Sequence, residues 1–137
     1  NRKTTLHVAP RHRGRLVFKR DESENYKCVA CLMCEKACPN STIRITSEMQ
    51  QDPETGRKKR ALLDYQYDLG DCMFCQLCVN ACNFDAIKFT NDFENAVFDR
   101  SKLVLHLNEE VYKGGSLPNL VDGGADWEVG TFNTKKK

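Results

Sequence analysis

No stretch of this sequence approaches the roughly 18 consecutive apolar residues that a membrane-spanning helix needs, and no secretory signal pattern is present. We therefore expect the chain as given to be soluble. It begins with Asn1 rather than Met, so the sequence leaves open an upstream segment that faces a membrane.

The sequence also lacks an excess of either charge. Its 21 basic and 19 acidic residues give a formal net charge of +2, which does not favour binding to nucleic acid or to an acidic substrate. The N-terminus differs, because residues 1–20 contain seven Lys or Arg and no Asp or Glu. We predict a basic arm over residues 1–25, which is either solvated or docks on an acidic partner or on lipid headgroups.

A catalytic constellation is missing as well. His7, His12 and His106 are scattered, and no cysteine is left over as a nucleophile because all eight fall into two groups. We predict no bond-making residues and interpret the histidines as surface or packing residues.

The cysteines form two copies of one motif. The first run has the C-x2-C-x2-C-x3-C-P spacing of bacterial ferredoxins and comprises Cys28, Cys31, Cys34, Cys38 and Pro39. The second run repeats this spacing 44 residues later, at Cys72, Cys75, Cys78 and Cys82. Ile43-Arg44-Ile45 and Ile87-Lys88-Phe89 also align at this offset. The repetition indicates an internal duplication.

This spacing predicts two [4Fe-4S] clusters. Cysteines three residues apart can surround one face of a cubane, and the fourth cysteine of each run, carried away by a short helix, ligates the other cluster. We therefore assign one cluster to Cys28, Cys31, Cys34 and Cys82. The other is assigned to Cys72, Cys75, Cys78 and Cys38.

Three alternatives remain open. Paired C-x2-C units also bind zinc, although zinc ribbons use two cysteines per loop whereas each run here offers three and a distal fourth. The clusters could be purely structural, but two of them in one small domain are better suited to conducting electrons. A disulfide scaffold is the least favoured, since such chains are usually shorter.

Asn83 stands where the second run would have its proline. Because Pro lacks a backbone N–H, Asn83 either supplies an extra hydrogen bond to a cluster sulfur or is a neutral substitution. A redox titration of Asn83→Pro distinguishes the two.

The predicted fold class is α+β: a duplicated bacterial-type two-cluster ferredoxin core with an inserted β-hairpin and extended N- and C-terminal arms. The ferredoxin domain is placed at residues 26–95 and its hairpin at about 43–67. The predicted strands are Ile43 to Met49 and Lys58 to Tyr67, joined by a segment rich in turn formers.

The C-terminal part is predicted to begin with a helix over residues 96–113. Asp99 or Ser101 would cap its regular part, from about Lys102 to Lys113, and Gly114 would end it. Residues 114–137 are predicted to form an extended tail.

The chain resembles the two-cluster ferredoxin-type subunit of respiratory complex I, the NADH:quinone oxidoreductase. Beyond the cysteine runs, the resemblance lies in Pro10-Arg11-His12-Arg13-Gly14, in the insert leading to Tyr65 and Tyr67, and in Asn91-Asp92-Phe93-Glu94. It covers about residues 8 to 108, and Asn83 departs from the family pattern.

The resemblance implies an electron-relay subunit that passes electrons towards the terminal cluster of a neighbouring subunit, which reduces quinone. It implies partner subunits and peripheral membrane association, on the cytoplasmic side of a bacterial inner membrane or the matrix side of the mitochondrial one. A subunit of a related membrane-bound hydrogenase and a free soluble ferredoxin are the alternatives.

Overall fold

The computed structural model describes residue 9 and residues 11–23 and 25–109. The predicted tail over residues 114–137 and the last four residues of the predicted helix lie outside this part of the chain. Within it, the secondary structure mixes short helices and strands, so the α+β class is confirmed. The elements are β1 (Leu16–Phe18), α1 (Met33–Ala37), β2 (Ile43–Gln51), β3 (Lys58–Asp68), α2 (Leu77–Ala81), β4 (Ile87–Phe89), a 3-10 helix (Arg100–Leu103) and β5 (Val104–His106).

The strands form two antiparallel sheets, with β1 paired to β4 and with β3 lying between β2 and β5. In the first sheet Leu16 lies opposite Phe89 and Phe18 opposite Ile87. Among the described residues, the two α-helices have five residues each, and no membrane-spanning helix is found.

Strand β1 shows that part of the predicted basic arm over residues 1–25 belongs to the core. Leu16 is completely buried, and Val17 and Phe18 are nearly so. The reason is that Leu-Val-Phe is an apolar, strand-forming triplet whose burial outweighs the basic residues around it. One of those basic side chains pairs with an acidic residue of the second half, since Lys19 forms an ion pair with Asp85 at 2.8 Å.

Strands β2 and β3 pair as an antiparallel hairpin, from Ile43 opposite Tyr67 at the base to Gln51 opposite Lys58 at the outer end. The turn between them includes Gly56, whose left-handed φ of +66° favours glycine or asparagine. At the base, Ile43, Tyr65 and Tyr67 are buried. The hairpin therefore starts in the core, and both tyrosines lie on its inner half.

The predicted helix over residues 96–113 is wrong in the described part of the chain. Asp99 does cap, because its side chain accepts a hydrogen bond from the Ser101 N–H, but the capped element is the four-residue 3-10 helix. The chain then forms β5, which pairs with β3 with Asp68 opposite Val104 and Gln66 opposite His106. The physical reason is that β3 had an edge whose backbone groups needed partners, and pairing with β5 satisfies them.

Candidate iron-sulfur site

The loop of each cysteine run bends through left-handed backbone conformations at residues that have side chains. In the first run Ala30 has φ 51° and Leu32 has φ 64°. In the second run Phe74 has φ 52° and Gln76 has φ 69°, each 44 positions after its counterpart. Such conformations cost about 1–2 kcal/mol per residue. They are maintained in both loops because the bends turn the backbone N–H groups and the cysteines towards one interior.

A five-residue helix follows each loop and carries the fourth cysteine away. Helix α1 ends at Ala37, and Cys38 after it is extended, with φ −77° and ψ 116°. Helix α2 ends in the same way, with Cys82 at φ −79° and ψ 103°. Each run therefore directs three cysteines to one place and the fourth to another.

Two small cavities collect the eight cysteines into two sets of four. The first set lines one cavity and comprises Cys28, Cys31, Cys34 and Cys82. The second set lines the other cavity and comprises Cys38, Cys72, Cys75 and Cys78. Each set therefore combines three cysteines of one run with the fourth cysteine of the other run.

The remaining cavity walls are mostly apolar. Ile45, Phe84 and Ile87 line the first cavity, and Ile43 and Phe89 line the second. All eight cysteines are free thiols. In the described residues, no three His, Cys, Asp or Glu side chains converge closely enough to hold a single metal ion. The cysteines of each set instead surround a space, which suits a larger polynuclear group.

Backbone N–H groups donate to one loop sulfur and one fourth-cysteine sulfur in each half. Ala30 N lies 3.5 Å from Cys28 Sγ, and Phe74 N lies 3.3 Å from Cys72 Sγ. The fourth cysteines receive equivalent bonds, from Thr42 N to Cys38 Sγ at 3.4 Å and from Ala86 N to Cys82 Sγ at 3.3 Å. These donors stabilise negative charge on thiolate sulfur.

Hydroxyl groups add further polar atoms. Tyr65 Oη, from β3, donates to Cys34 Sγ at 3.2 Å. Tyr67, two residues further on, lines the second cavity, and its buried hydroxyl oxygen has no hydrogen-bond partner within the described residues. Thr42 Oγ1 lies 3.2 Å from Cys38 Sγ. From the sequence, no site role was assigned to these three residues. Tyr65 and Tyr67 were singled out only through the family resemblance, and the signal for Thr42 was its position four residues after Cys38.

The surroundings shift the pKa values of the cysteine thiols in different directions. Burial raises the pKa of Cys28 to about 11 and that of Cys78 to about 12. Burial opposes ionisation of Cys38 too, but hydrogen bonds from the Thr42 side chain and backbone outweigh it and place its pKa below the ordinary value. Iron must therefore displace protons from Cys28 and Cys78, so cluster assembly is expected to become easier as the pH rises.

Comparison with known proteins agrees with this geometry. Residues 27–86 match the model of the 4Fe-4S dicluster domain. Subunit I 2 of the NADH-quinone oxidoreductase of Geobacter metallireducens is 36% identical over 96 residues, which cover 70% of this chain and 69% of that protein. The chain belongs to the NADH-quinone oxidoreductase subunit I family.

Other subunit I proteins are longer than this chain. The Symbiobacterium thermophilum NADH-quinone oxidoreductase subunit I 2 is 38% identical over 103 residues, 74% of this chain and 41% of that protein. The Gloeobacter violaceus NAD(P)H-quinone oxidoreductase subunit I is 33% identical over 111 residues, 81% of this chain and 47% of that protein. The chain thus spans about half the length of these two relatives.

As a subunit I protein with a dicluster domain, the chain carries two [4Fe-4S] clusters. The cavities fit this cofactor in three respects: four thiols on each, walls that exclude water, and N–H and O–H donors directed at sulfur. The buried hydroxyl of Tyr67 interacts with the Cys72 side chain but has no well-formed hydrogen bond, so it is a further donor for cluster sulfur.

Proposed function

We propose that this chain relays electrons through its two clusters, as a subunit of a membrane-associated NADH:quinone oxidoreductase. The observation that carries the proposal is the pair of cavities, each lined by four cysteines from both runs. Two adjacent redox centres in one small domain give an electron a path across it. The chain itself contributes no bond-making residue; its part is to hold the clusters, exclude water and place hydrogen-bond donors near sulfur.

In this proposal Cys28, Cys31, Cys34 and Cys82 ligate the first cluster. Cys72, Cys75, Cys78 and Cys38 ligate the second. The extended conformation of Cys38 and Cys82 supports this exchange, because it leads each residue out of its own helix. Thiolate ligands would replace the protons that these buried thiols otherwise retain.

We also propose that the core is a duplicated ferredoxin with the β2–β3 hairpin as its insert. The left-handed backbone residues support the duplication. Besides the four in the loops, Ser41 has φ 54° and Asp85 has φ 52°, again 44 positions apart. Three matched pairs of an uncommon conformation at one offset indicate two copies of one local structure.

The subunit would pass electrons towards the quinone-reducing cluster of a neighbouring subunit. Membrane association would come through partner subunits, on the cytoplasmic side of a bacterial inner membrane or the matrix side of a mitochondrial one. The names of the relatives favour this assignment over a hydrogenase subunit or a free ferredoxin. Isolation separates a subunit, which co-purifies with partners, from a diffusing carrier.

Low-temperature EPR of the anaerobically reduced protein, with iron and sulfide quantified, tests the cluster assignment. We expect about eight irons per chain and two interacting four-iron signals. Cys34→Ser and Cys82→Ser, in different runs, should alter the same signal. Cys34→Ser and Cys38→Ser, in the same run, should alter different signals.

Met49→Ser is a suitable control, because Met49 is 60% exposed on the outer part of the hairpin and should leave both signals unchanged. If Cys34→Ser and Cys38→Ser altered the same signal, the ligand exchange would be wrong. In the assembled complex, Cys34→Ser should abolish NADH-driven quinone reduction. Full activity without the first cluster would instead indicate a structural role.

A further inference from the structure

The two halves of the site differ at one position that contacts a cysteine sulfur. Thr42 lies four residues after Cys38, and Ala86 lies four residues after Cys82. Both backbones donate an N–H to the cysteine sulfur. Only Thr42 adds a hydroxyl, with Oγ1 3.2 Å from Cys38 Sγ, because alanine has none. The duplication thus provides its own comparison of a site with and without this hydroxyl.

The direction of this hydrogen bond follows from the chemistry of the sulfur. In the free thiol either Cys38 Sγ or Thr42 Oγ1 could donate. An iron-bound thiolate has no proton, so the hydroxyl must be the donor once a cluster is present. Thr42 is only 5% exposed, so water has little access to its hydroxyl as an alternative hydrogen-bond partner.

A second hydroxyl lies at the same cavity. Tyr67 is 1% exposed, lines the cavity of the Cys38 set, and lacks a hydrogen-bond partner for its oxygen within the described residues. At the other cavity, Tyr65 donates to Cys34. Each cavity therefore has one tyrosine from β3, whereas the hydroxyl of Thr42 has no counterpart at the equivalent position, Ala86.

We propose that Thr42 is a positioning residue that raises the reduction potential of the cluster held by Cys38 relative to that of the cluster held by Cys82. A reduced cluster is more negative, so its thiolate sulfurs accept hydrogen bonds more strongly than those of the oxidised cluster. A donor aimed at Cys38 Sγ thus stabilises the reduced state. The hydroxyl therefore favours the electron on the Cys38 cluster, in comparison with the same cluster without this donor.

This inference rests on the proposed ligation by Cys38 and Cys82, and it holds for any ligand arrangement that places these two in different clusters. The test is a redox titration of both EPR signals in the reconstituted, full-length holoprotein. Thr42→Val keeps the side-chain volume and the backbone donor but removes the hydroxyl. We expect one potential to fall by about 59 mV, corresponding to a tenfold change in the one-electron equilibrium constant.

Two further variants complete the test. Thr42→Ser retains a hydroxyl and should restore most of the wild-type potential. Ala86→Ser introduces a hydroxyl at the equivalent position and should raise the other potential, leaving the first unchanged. Ala86→Ser also serves if Thr42→Val fails to fold, because it does not depend on that variant.

Opposite shifts on two different signals would support the proposal. Unmoved potentials in folded Thr42→Val and Ala86→Ser proteins that contain both clusters, or shifts confined to a single signal, would overturn it. A wild-type protein that does not assemble two clusters would contradict the proposed function itself, so the two failures are distinguishable from the iron content alone.

Discussion

At the scale of single residues, Gly14 sits where the chain ahead of the cluster core contacts the second half. Its N–H donates to Thr90 O at 2.8 Å, and Thr90 N donates back to Arg15 O at 2.8 Å. A Cβ at Gly14 would overlap the backbone carbonyl of Asp92. Backbone cannot move aside as a flexible side chain can, so the absence of a side chain is required here.

We predict that Gly14→Ala destabilises the protein by about 1–3 kcal/mol, the usual cost of forced overpacking. Denaturant unfolding measures this loss in the free energy of unfolding. Gly56→Asn is the control, because Gly56 has open space around it and Asn tolerates its left-handed φ. A loss from Gly14→Ala no larger than that of the control would show that the Asp92 contact is not rigid.

At the scale of elements, β5 is held to β3 by side chains as well as by the ladder. His106 Nδ1 lies 2.8 Å from Asp64 Oδ1 across the two strands. The hydrogen bond and negative charge of Asp64 raise the pKa of His106 above its ordinary value. The folded protein therefore holds the His106 proton to higher pH than the unfolded chain does.

The sign of the pH dependence follows. The His106–Asp64 pair contributes fully to the free energy of unfolding below the pKa of His106 in the unfolded chain, about 6.5. This contribution is lost as the pH rises through the pKa of His106 in the folded protein. Asp64→Asn should therefore destabilise at about pH 5.5 and have little effect at about pH 8.5. We expect less than about 1 kcal/mol, since His106 is 43% exposed and solvent screens the pair.

Thermal unfolding across this pH range measures the difference. His106→Gln is the matched control, because it removes the titrating group. In this background, Asp64→Asn should lower the stability by the same small amount at both pH values. An Asp64→Asn effect that does not change with pH would contradict a charged pair.

At the scale of the whole molecule, the two halves are connected by strands as well as by the proposed clusters. Strand β1 precedes the first cysteine run and pairs with β4, which follows the second. Asn40, after the first run, donates its side-chain N–H to Asp71 O at 2.9 Å, next to the second run. Each cavity then contains cysteines from both halves, so cluster binding couples them.

We predict that removing iron with a chelator lowers the melting temperature of the whole domain rather than of one half. The reason is that cluster binding is linked to folding, and each cluster uses ligands from both runs. Circular dichroism melts before and after anaerobic chelation measure the shift. If the protein unfolded in two separate transitions and chelation shifted only one of them, the halves would fold independently.

Sequence patterns predicted the local features of this protein well. The cysteine spacing and the hairpin strands are local, because each depends on residues within a few positions of one another. The Asp99 cap is local too, but the helix that it was predicted to start is a four-residue 3-10 helix instead. The sequence also predicted that Cys82 joins the first run, because a short helix was expected between Cys78 and Cys82. Helix Leu77–Ala81 ends next to Cys82, and the ligation itself stays a prediction. These features follow from backbone geometry that repeats wherever the same short pattern occurs.

Other features were decided by contacts between distant segments. Residues 102–106 have helix-compatible spacing, but the open edge of β3 made them a 3-10 turn and a strand. From the sequence, Leu16–Phe18 were assigned to a basic arm. In the structure these residues are buried because they pair with β4. The hydroxyls of Thr42 and Tyr67 meet one cavity only because β2 and β3 pair in one register. Two four-cysteine runs follow from spacing that can be counted along the chain. Which N–H and O–H donors approach each set of cysteines depends on the packing of strands far apart in sequence, so it is visible only in the folded protein.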